Sequence, residues 1–158
     1  MAKHILSALV QNQPGVLSKI SGLFSRRGFN IESLAVGTCE KPDYSRMTII
    51  VNGDEYTVDQ VFKQLSKLIE VIEIELLQEN EVVPRELMLI KVKVDSQLRS
   101  EIMQIAEIFR AKIDDVSSNS LTLEITGQES KIEGFINILK PFDIAKIIQT
   151  GVIAVSRS

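Results

Sequence analysis

The sequence predicts an α+β fold built from two units that share one order of elements, β-α-β-β-α-β. Two observations support this prediction. Short apolar runs of strand type alternate with segments whose apolar residues recur at helical spacing, and the whole order occurs twice along the chain. In the ferredoxin-like fold, which has this order, two helices cover one face of a four-stranded antiparallel sheet. The polar stretch QENEVVPRE separates the halves, so we place domains at residues 1–78 and 79–158.

The first half opens with an alternating, mostly apolar run at residues 5–11, which predicts a buried strand. A helix is predicted next, with Pro14 in its first turn and Gly28 just past its end. Strands should follow at residues 29–36 and 47–51, the second closed by the turn signal Asn52–Gly53. The apolar face of the helix comprises Val16, Leu17, Ile20, Leu23 and Phe24.

A second helix completes the first unit together with one more strand. Thr57 and Gln60 have capping-box spacing, which predicts that the helix begins there. Residues 72–76 alternate between apolar and acidic side chains, which is typical of a strand with one solvated face.

The second half repeats the order. Strands are predicted at residues 87–94, 113–116, 121–125 and 144–155, the last as one closing strand. Pro141 should end the fourth helix. The two helical faces comprise Leu98, Ile102, Ile105 and Phe109, and Ile132, Phe135, Ile136 and Leu139.

Composition narrows the class of protein. The chain has 158 residues, 44% of them apolar and 25% charged, as expected of a folded globular protein. The net charge of −3 gives no electrostatic reason to expect nucleic acid or an anionic membrane as partner. No apolar run approaches the roughly 18–20 residues of a membrane span. The single cysteine, Cys39, cannot form an internal disulfide, which favours a reducing, cytoplasmic compartment.

RNA-recognition modules share this element order and stack bases on aromatic residues of their sheet. Here the corresponding strands are MTIIV and LTLEI, which carry no aromatic residue. The chain is also acidic, so nucleic-acid binding is disfavoured.

Catalytic signatures are weak throughout the sequence. His4 is the only histidine and has no cysteine or carboxylate at ligand spacing, so neither a metal site nor a triad is indicated. The acidic pairs Asp54–Glu55 and Asp114–Asp115 flank predicted turns and are most simply solvated. We therefore expect that the chain alone is not an enzyme and holds neither metal nor cofactor.

The most informative segment runs from Asn12 to Val36. One interpretation is structural: Asn12 caps a strand-to-helix turn, and Arg26 and Arg27 complement the dipole at the helix end. That interpretation does not explain Asn30, since asparagine is a poor strand former. The other interpretation is an amino-acid site, in which helix N–H groups bind the carboxylate and a neutral amide accepts from the ammonium.

The segment NQPGVLSKISGLFSRRGFNIESL resembles the amino-acid-sensing ACT domain, and in detail that of the small, regulatory subunit of acetohydroxyacid synthase, also called acetolactate synthase. SRMTIIVNGDE, RELMLIKV, EIFRAKIDDV and TGVIAVSR are similar to the same family in the same order. The resemblance covers nearly the whole chain, and it identifies residues 1–78 as an ACT domain.

The resemblance implies a non-catalytic subunit that activates a catalytic large subunit, a transferase expected to carry thiamine diphosphate, Mg and FAD, and that confers feedback inhibition by valine. It implies a homodimer whose effector sites lie where two ACT domains pair. Leucine and isoleucine stay open as effectors. The residues matching effector-binding positions are Asn12, Gly15, Val16, Leu17, Asn30 and Ile31.

The second half lacks the NQPG turn and has VDSQLRS in its place, so we expect no second amino-acid site there. Dimerisation or partner contact is the role we expect for it. The alternative for the whole chain is a stand-alone amino-acid-binding dimer without an enzyme partner.

Overall fold

A computed structural model describes residues 2–158, in which the predicted β-α-β-β-α-β order is confirmed in both halves. The helices are α1 Val16–Arg27, α2 Glu55–Ser66, α3 Ser96–Ile108 and α4 Glu129–Leu139. The strands are β1 Ala2–Gln11, β2 Ile31–Thr38, β3 Tyr44–Gly53, β4 Val71–Leu77, β5 Val82–Lys93, β6 Lys112–Val116, β7 Ser120–Gly127, β8 Asp143–Gln149 and β9 Ile153–Ser156. A 3-10 turn covers Glu79–Glu81. No helix within residues 2–158 is long and apolar enough to cross a bilayer.

The chain divides into two compact units, one formed by Met1–Pro84 with Val152–Ser158 and the other by Arg85–Gly151. This division differs from the predicted domains 1–78 and 79–158 at two places. The 3-10 turn and the start of β5 belong to the first unit, where Val82 is buried. The C-terminal segment belongs to the first unit as well.

The sheet of the first unit has the strand order β2-β3-β1-β4 and is antiparallel throughout. Alternate residues of β1 and β3 point towards α1 and α2 and form the core with the apolar stripes of those helices. Fully buried members of this core include Leu6, Ile20, Ile49, Val61 and Leu65. The apolar residues that alternate along the strands and those that recur along the helices therefore form one core between sheet and helices, as predicted.

Helix α2 begins earlier than predicted. Its N-cap is Asp54, whose carboxylate accepts a hydrogen bond from Thr57 N–H at 2.8 Å. The capping box assigned to Thr57 and Gln60 is thus wrong, because Thr57 already lies inside the first turn and supplies the capped amide. The hydrogen bond from Thr57 lowers the pKa of Asp54 below its usual value.

The second unit has the strand order β6-β7-β5-β8, again antiparallel. Its core lies between this sheet and helices α3 and α4 and includes a tilted aromatic pair, Phe109 and Phe135, whose ring centroids are 5.2 Å apart. Asp95 caps α3 by accepting from Gln97 and Leu98 N–H. Every predicted helical stripe of this unit contributes to the core.

The predicted single closing strand at residues 144–155 is wrong. The chain breaks between β8 and β9 at Gly151, whose φ of 85° lies in the left-handed region that favours glycine. Beyond it, Val152 N–H donates to Ser33 Oγ on β2, and Arg157 N–H donates to Glu81 O. Strand β9 pairs with β5 and contacts β1 and β3.

The C-terminal segment crosses the face of the first sheet that points away from α1 and α2. Ser33 and Ile50 are paired in register on that face, and Ile50 is buried although it is not part of the helix-side core. Leu77 and Val82 are buried there too. The segment Val152–Ser158 is therefore a cover for an apolar sheet face.

Ending the chain at Gly151 should uncover this face. Full burial of one large apolar side chain stabilises a protein by roughly 1.5–3 kcal/mol. Since truncation would expose several side chains of this face, each only in part, we expect the free energy of unfolding to fall by about 2–4 kcal/mol. Urea titration and binding of a dye specific for apolar surface measure it. The control is the pair Ile153→Ser and Val155→Ser, whose side chains already face solvent. Equal stability of the truncated and full chains would refute the covering role.

Candidate functional site

The loop from Asn12 to Gly15 follows the central strand β1 and leads into α1. Asn12 N–H donates to Asp43 O at 3.0 Å, and the helix N-cap is Gly15, not Asn12. Gly15 has a φ of 86°, and no side chain among the described residues caps the helix. Pro14 precedes the helix and lies in the turn, so its predicted place inside the first turn is wrong. The result is an exposed helix N-terminus in which Val16 N–H donates to Gln13 O at 3.4 Å and the next amides can bind an anionic group.

Val16 and Leu17 begin α1 and face different surroundings. The Val16 side chain is buried in the core of the first unit, so only its backbone can face a ligand at the loop. Leu17 is 48% exposed and presents apolar surface next to the open amides. Of the two, Leu17 is the one whose side chain is available for contact.

Asn30 and Ile31 lie where α1 has ended and β2 begins. Gly28, with a φ of 67°, ends the helix, and Phe29 N–H and Gly28 N–H donate back to Phe24 and Ser25 carbonyls in a Schellman motif. The Asn30 carbonyl accepts a hydrogen bond from Asn52 N–H at 3.1 Å, which holds the backbone of Asn30 beside the start of β2. Its side chain is exposed. Ile31 is half-buried against the core.

The sheet register places the Asn12–Gly15 loop and the pair Asn30 and Ile31 at opposite ends of the first unit. Ile31 and His4 both pair with Val51, so the start of β2 is level with the start of β1, whereas Asn12 follows the end of β1. At about 3.3 Å per residue, the run from His4 to Asn12 spans roughly 26 Å. Within one chain, Asn12 and Asn30 therefore lie at opposite ends of the sheet.

An open groove of about 500 Å³ runs between α1 and β2 and reaches Asn30 and Ile31. It is lined by Ser21, Phe24, Ser25, Gly28, Phe29, Asn30, Ile31 and Leu34. The aromatic and aliphatic members could accept a branched apolar side chain. Only Asn30 and Ile31 among them are candidates from the sequence. Phe24 was assigned to the apolar face of the helix, Phe29 and Leu34 to the strand, and the two serines carry no signal.

An ion pair behind the loop was missed as well. Lys19, in the second turn of α1, donates to both carboxylate oxygens of Glu70 at 2.8 and 3.2 Å, and this hydrogen bonding lowers the pKa of Glu70. Gln11 N–H also donates to Glu70 O at 2.9 Å. These contacts connect the end of β1 and the start of α1, on either side of the loop, to Glu70, the residue before β4.

The remaining candidates show no catalytic arrangement. The His4 ring is paired with the Gly53 carbonyl at 3.1 Å, and Cys39 Sγ lies 3.6 Å from Tyr44 O. Within residues 2–158, no group of three or more His, Cys, Asp or Glu side chains is placed to hold a metal ion. In the second unit, Asp95 occupies the amides that Gly15 leaves open in the first.

Comparisons with known proteins cover both units. The family profile described as an AHAS small subunit-like ACT domain matches residues 6–73, and that described as the small subunit of acetolactate synthase matches residues 85–158. The chain is 51% identical to the acetolactate synthase small subunit of Mycolicibacterium smegmatis, over 98% of this chain and 91% of that protein. It is 50% identical to the probable acetolactate synthase small subunit of Archaeoglobus fulgidus, over 98% and 97%. The crystal structure of the Thermotoga maritima small subunit superposes with a TM-score of 0.94, at 45% identity, over 100% and 99%.

Gly15→Ala tests the backbone of the loop separately from any ligand. A Cβ at Gly15 would meet nothing within 4 Å, so the variant probes the left-handed conformation alone. We expect it to lower the free energy of unfolding by about 1–2 kcal/mol. Gly134→Ala, in the interior of α4 with only ordinary contact to Phe109, is the control and should stabilise by roughly 0.5–1 kcal/mol. Chemical denaturation showing the same sign for both would contradict this account of the loop.

Proposed function

Because the chain belongs to the family of acetolactate synthase small subunits, we propose that it binds valine and controls a thiamine-diphosphate-dependent catalytic large subunit. The observation that supports the proposal best is the split of the six candidate residues between two ends of one sheet. A split site is complete only if a second copy supplies the missing half.

Strand β2 is suited to pairing with a second copy of itself. It is an edge strand that, among the described residues, pairs only with β3, and an unpaired edge invites another strand. An antiparallel register centred on Ala35 would set Leu34 against the partner's Val36. Glu32 is the one charged residue in β2, and it would oppose the partner's Thr38, so no like charges meet.

This twofold arrangement unites the two half-sites. Thr38 and Val10 both pair with Ser45, so the end of β2 is level with the end of β1 and with the Asn12 loop beyond it. In an antiparallel pair, the start of the partner's β2 comes to that end. Asn30 of each copy is thereby carried to the Gly15 end of the other, which gives two equivalent sites per dimer.

The chemistry of each site matches a zwitterion with an aliphatic side chain. The amides after Gly15 would bind the carboxylate, and the Asn30 amide oxygen would accept from the ammonium without a buried counter-charge. Leu17 and the groove beside Phe24, Phe29 and Leu34 would contact the isopropyl group. Thiamine diphosphate, Mg and FAD belong, in this proposal, to the catalytic subunit.

Valine binding should depend on both half-sites. Gly15→Asp adds a carboxylate facing the ligand carboxylate, and Asn30→Ala removes one hydrogen bond to a charged group, worth roughly 1.5–3 kcal/mol. Calorimetric titration of each homodimer should show affinity for valine reduced about tenfold or more. Wild-type affinity in both variants would place the site elsewhere.

Mixing the two variants tests whether each site is shared between copies. A dimer with Gly15→Asp in one copy and Asn30→Ala in the other keeps one intact site if the halves come from different chains. Refolded mixtures should therefore regain high-affinity titration in about half of the dimers by random pairing, with one site in each. Absence of recovery, in mixtures that sedimentation shows to be dimeric, would mean that the halves act within one chain.

Regulation is tested with the catalytic subunit of acetolactate synthase. The chain alone should not convert pyruvate to acetolactate, but it should raise the activity of the large subunit and make it sensitive to valine. By linkage, valine inhibits only as far as its affinity differs between the active and inhibited states. Valine binding without any effect on the large subunit would favour the stand-alone amino-acid-binding dimer.

A further inference from the structure

The first sheet has a second edge, β4, whose surface differs in chemistry from that of β2. Among the described residues β4 pairs only with β1, and its outer backbone edge carries no strand. Two acidic residues, Glu73 and Glu75, pair with Leu9 and Ser7 and so lie on the face away from the helices. Ile72 and Leu76 are 44% and 37% exposed on the same strand, and Ile69 just before it is 84% exposed.

We propose that the β4 edge is the docking surface for the catalytic subunit, and that its occupant is an extended segment in which Lys or Arg side chains alternate with apolar ones. This inference rests on the proposed function for the existence of that partner. The contacts would be main-chain hydrogen bonds to β4, ion pairs with Glu73 and Glu75, and apolar packing on Ile72 and Leu76.

The charge pattern decides against a second copy of this chain as the occupant. In the antiparallel register that overlaps most of β4, centred on Ile74, Glu73 would face the partner's Glu75 and the reverse. Like charges directly opposite each other destabilise strand pairing. A strand with cationic residues at those positions turns the same two contacts into attractions, and its apolar residues would cover Leu76.

The start of β4 also has contacts with both elements that flank the Asn12–Gly15 loop. Glu70, which precedes β4, accepts from Gln11 N–H and is bridged by Lys19 of α1. A change at the Gly15 loop thus reaches the start of β4 through two contacts, without crossing the sheet. A partner seated on β4 is therefore placed to respond to the ligand at that loop.

The test uses the full chain with Glu73→Lys and Glu75→Lys together, and the isolated catalytic subunit of acetolactate synthase as probe. Both side chains are exposed, so the fold and valine affinity should stay within about twofold of wild type. Affinity for the large subunit should fall at least tenfold, because two attractive pairs become repulsive. The salt dependence of association should also become shallower than in wild type.

Matched controls separate this surface from net charge and from folding. Glu101→Lys with Glu133→Lys makes the same change in net charge on exposed positions of α3 and α4, and should weaken association far less than the change on β4 does. Ile72→Lys places a charge where the partner strand would pack and should weaken association without changing the dimer mass.

Each result bears on one proposal. Wild-type association by the Glu73→Lys, Glu75→Lys chain, or loss of its dimer, would overturn the β4 docking surface while leaving the regulatory function intact. If the unaltered chain neither binds nor activates the large subunit, the proposed function itself fails.

Discussion

The antiparallel register between β1 and β3 is the constraint on which the first unit depends. It runs without a break from Ala2 opposite Gly53 to Gln11 opposite Tyr44, and it buries alternate residues of both strands under the helices. A slip of one residue would turn the core residues Leu6, Ala8 and Val10 to the other face. Because β2 and β4 pair with these central strands, the same register fixes both ends of the candidate site and both free edges.

Three helix N-termini in the chain show how one residue separates an uncapped helix end from a capped one. Asp54 and Asp95 satisfy the first amides of α2 and α3 with their own carboxylates. Gly15 supplies no such group and adopts a conformation that side chains rarely reach. Helix α1 therefore has no side-chain cap where α2 and α3 have one, and Leu17 beside its N-terminus is exposed.

Periodicity predicted the elements well: the apolar stripes of the four helices contribute to the cores, except for Leu17 and Leu98, which are exposed. What it could not predict depends on geometry at a distance. The sequence places Asn12 before α1 and Asn30 after it, but only the register of β1, β2 and β3 gives the distance of roughly 26 Å along the sheet between them. The C-terminal segment looked like a strand continuing through Gly151, and only the left-handed glycine and the uncovered sheet face explain why it turns back to the first unit.

The two edge strands of the first sheet differ in charge, and the two proposed interfaces follow from that difference. Strand β2 has one carboxylate and an apolar centre, so it tolerates a copy of itself. On β4, Glu73 and Glu75 would disfavour a copy of the strand and favour a cationic one. In the proposed dimer, an effector bound between two β2 edges would lie level with the end of β1, where Gln11 N–H and Lys19 contact Glu70. Ligand and partner would then act on opposite edges of one sheet, and they would be coupled to the extent that the contacts of Glu70 differ between the ligand-bound and ligand-free chain.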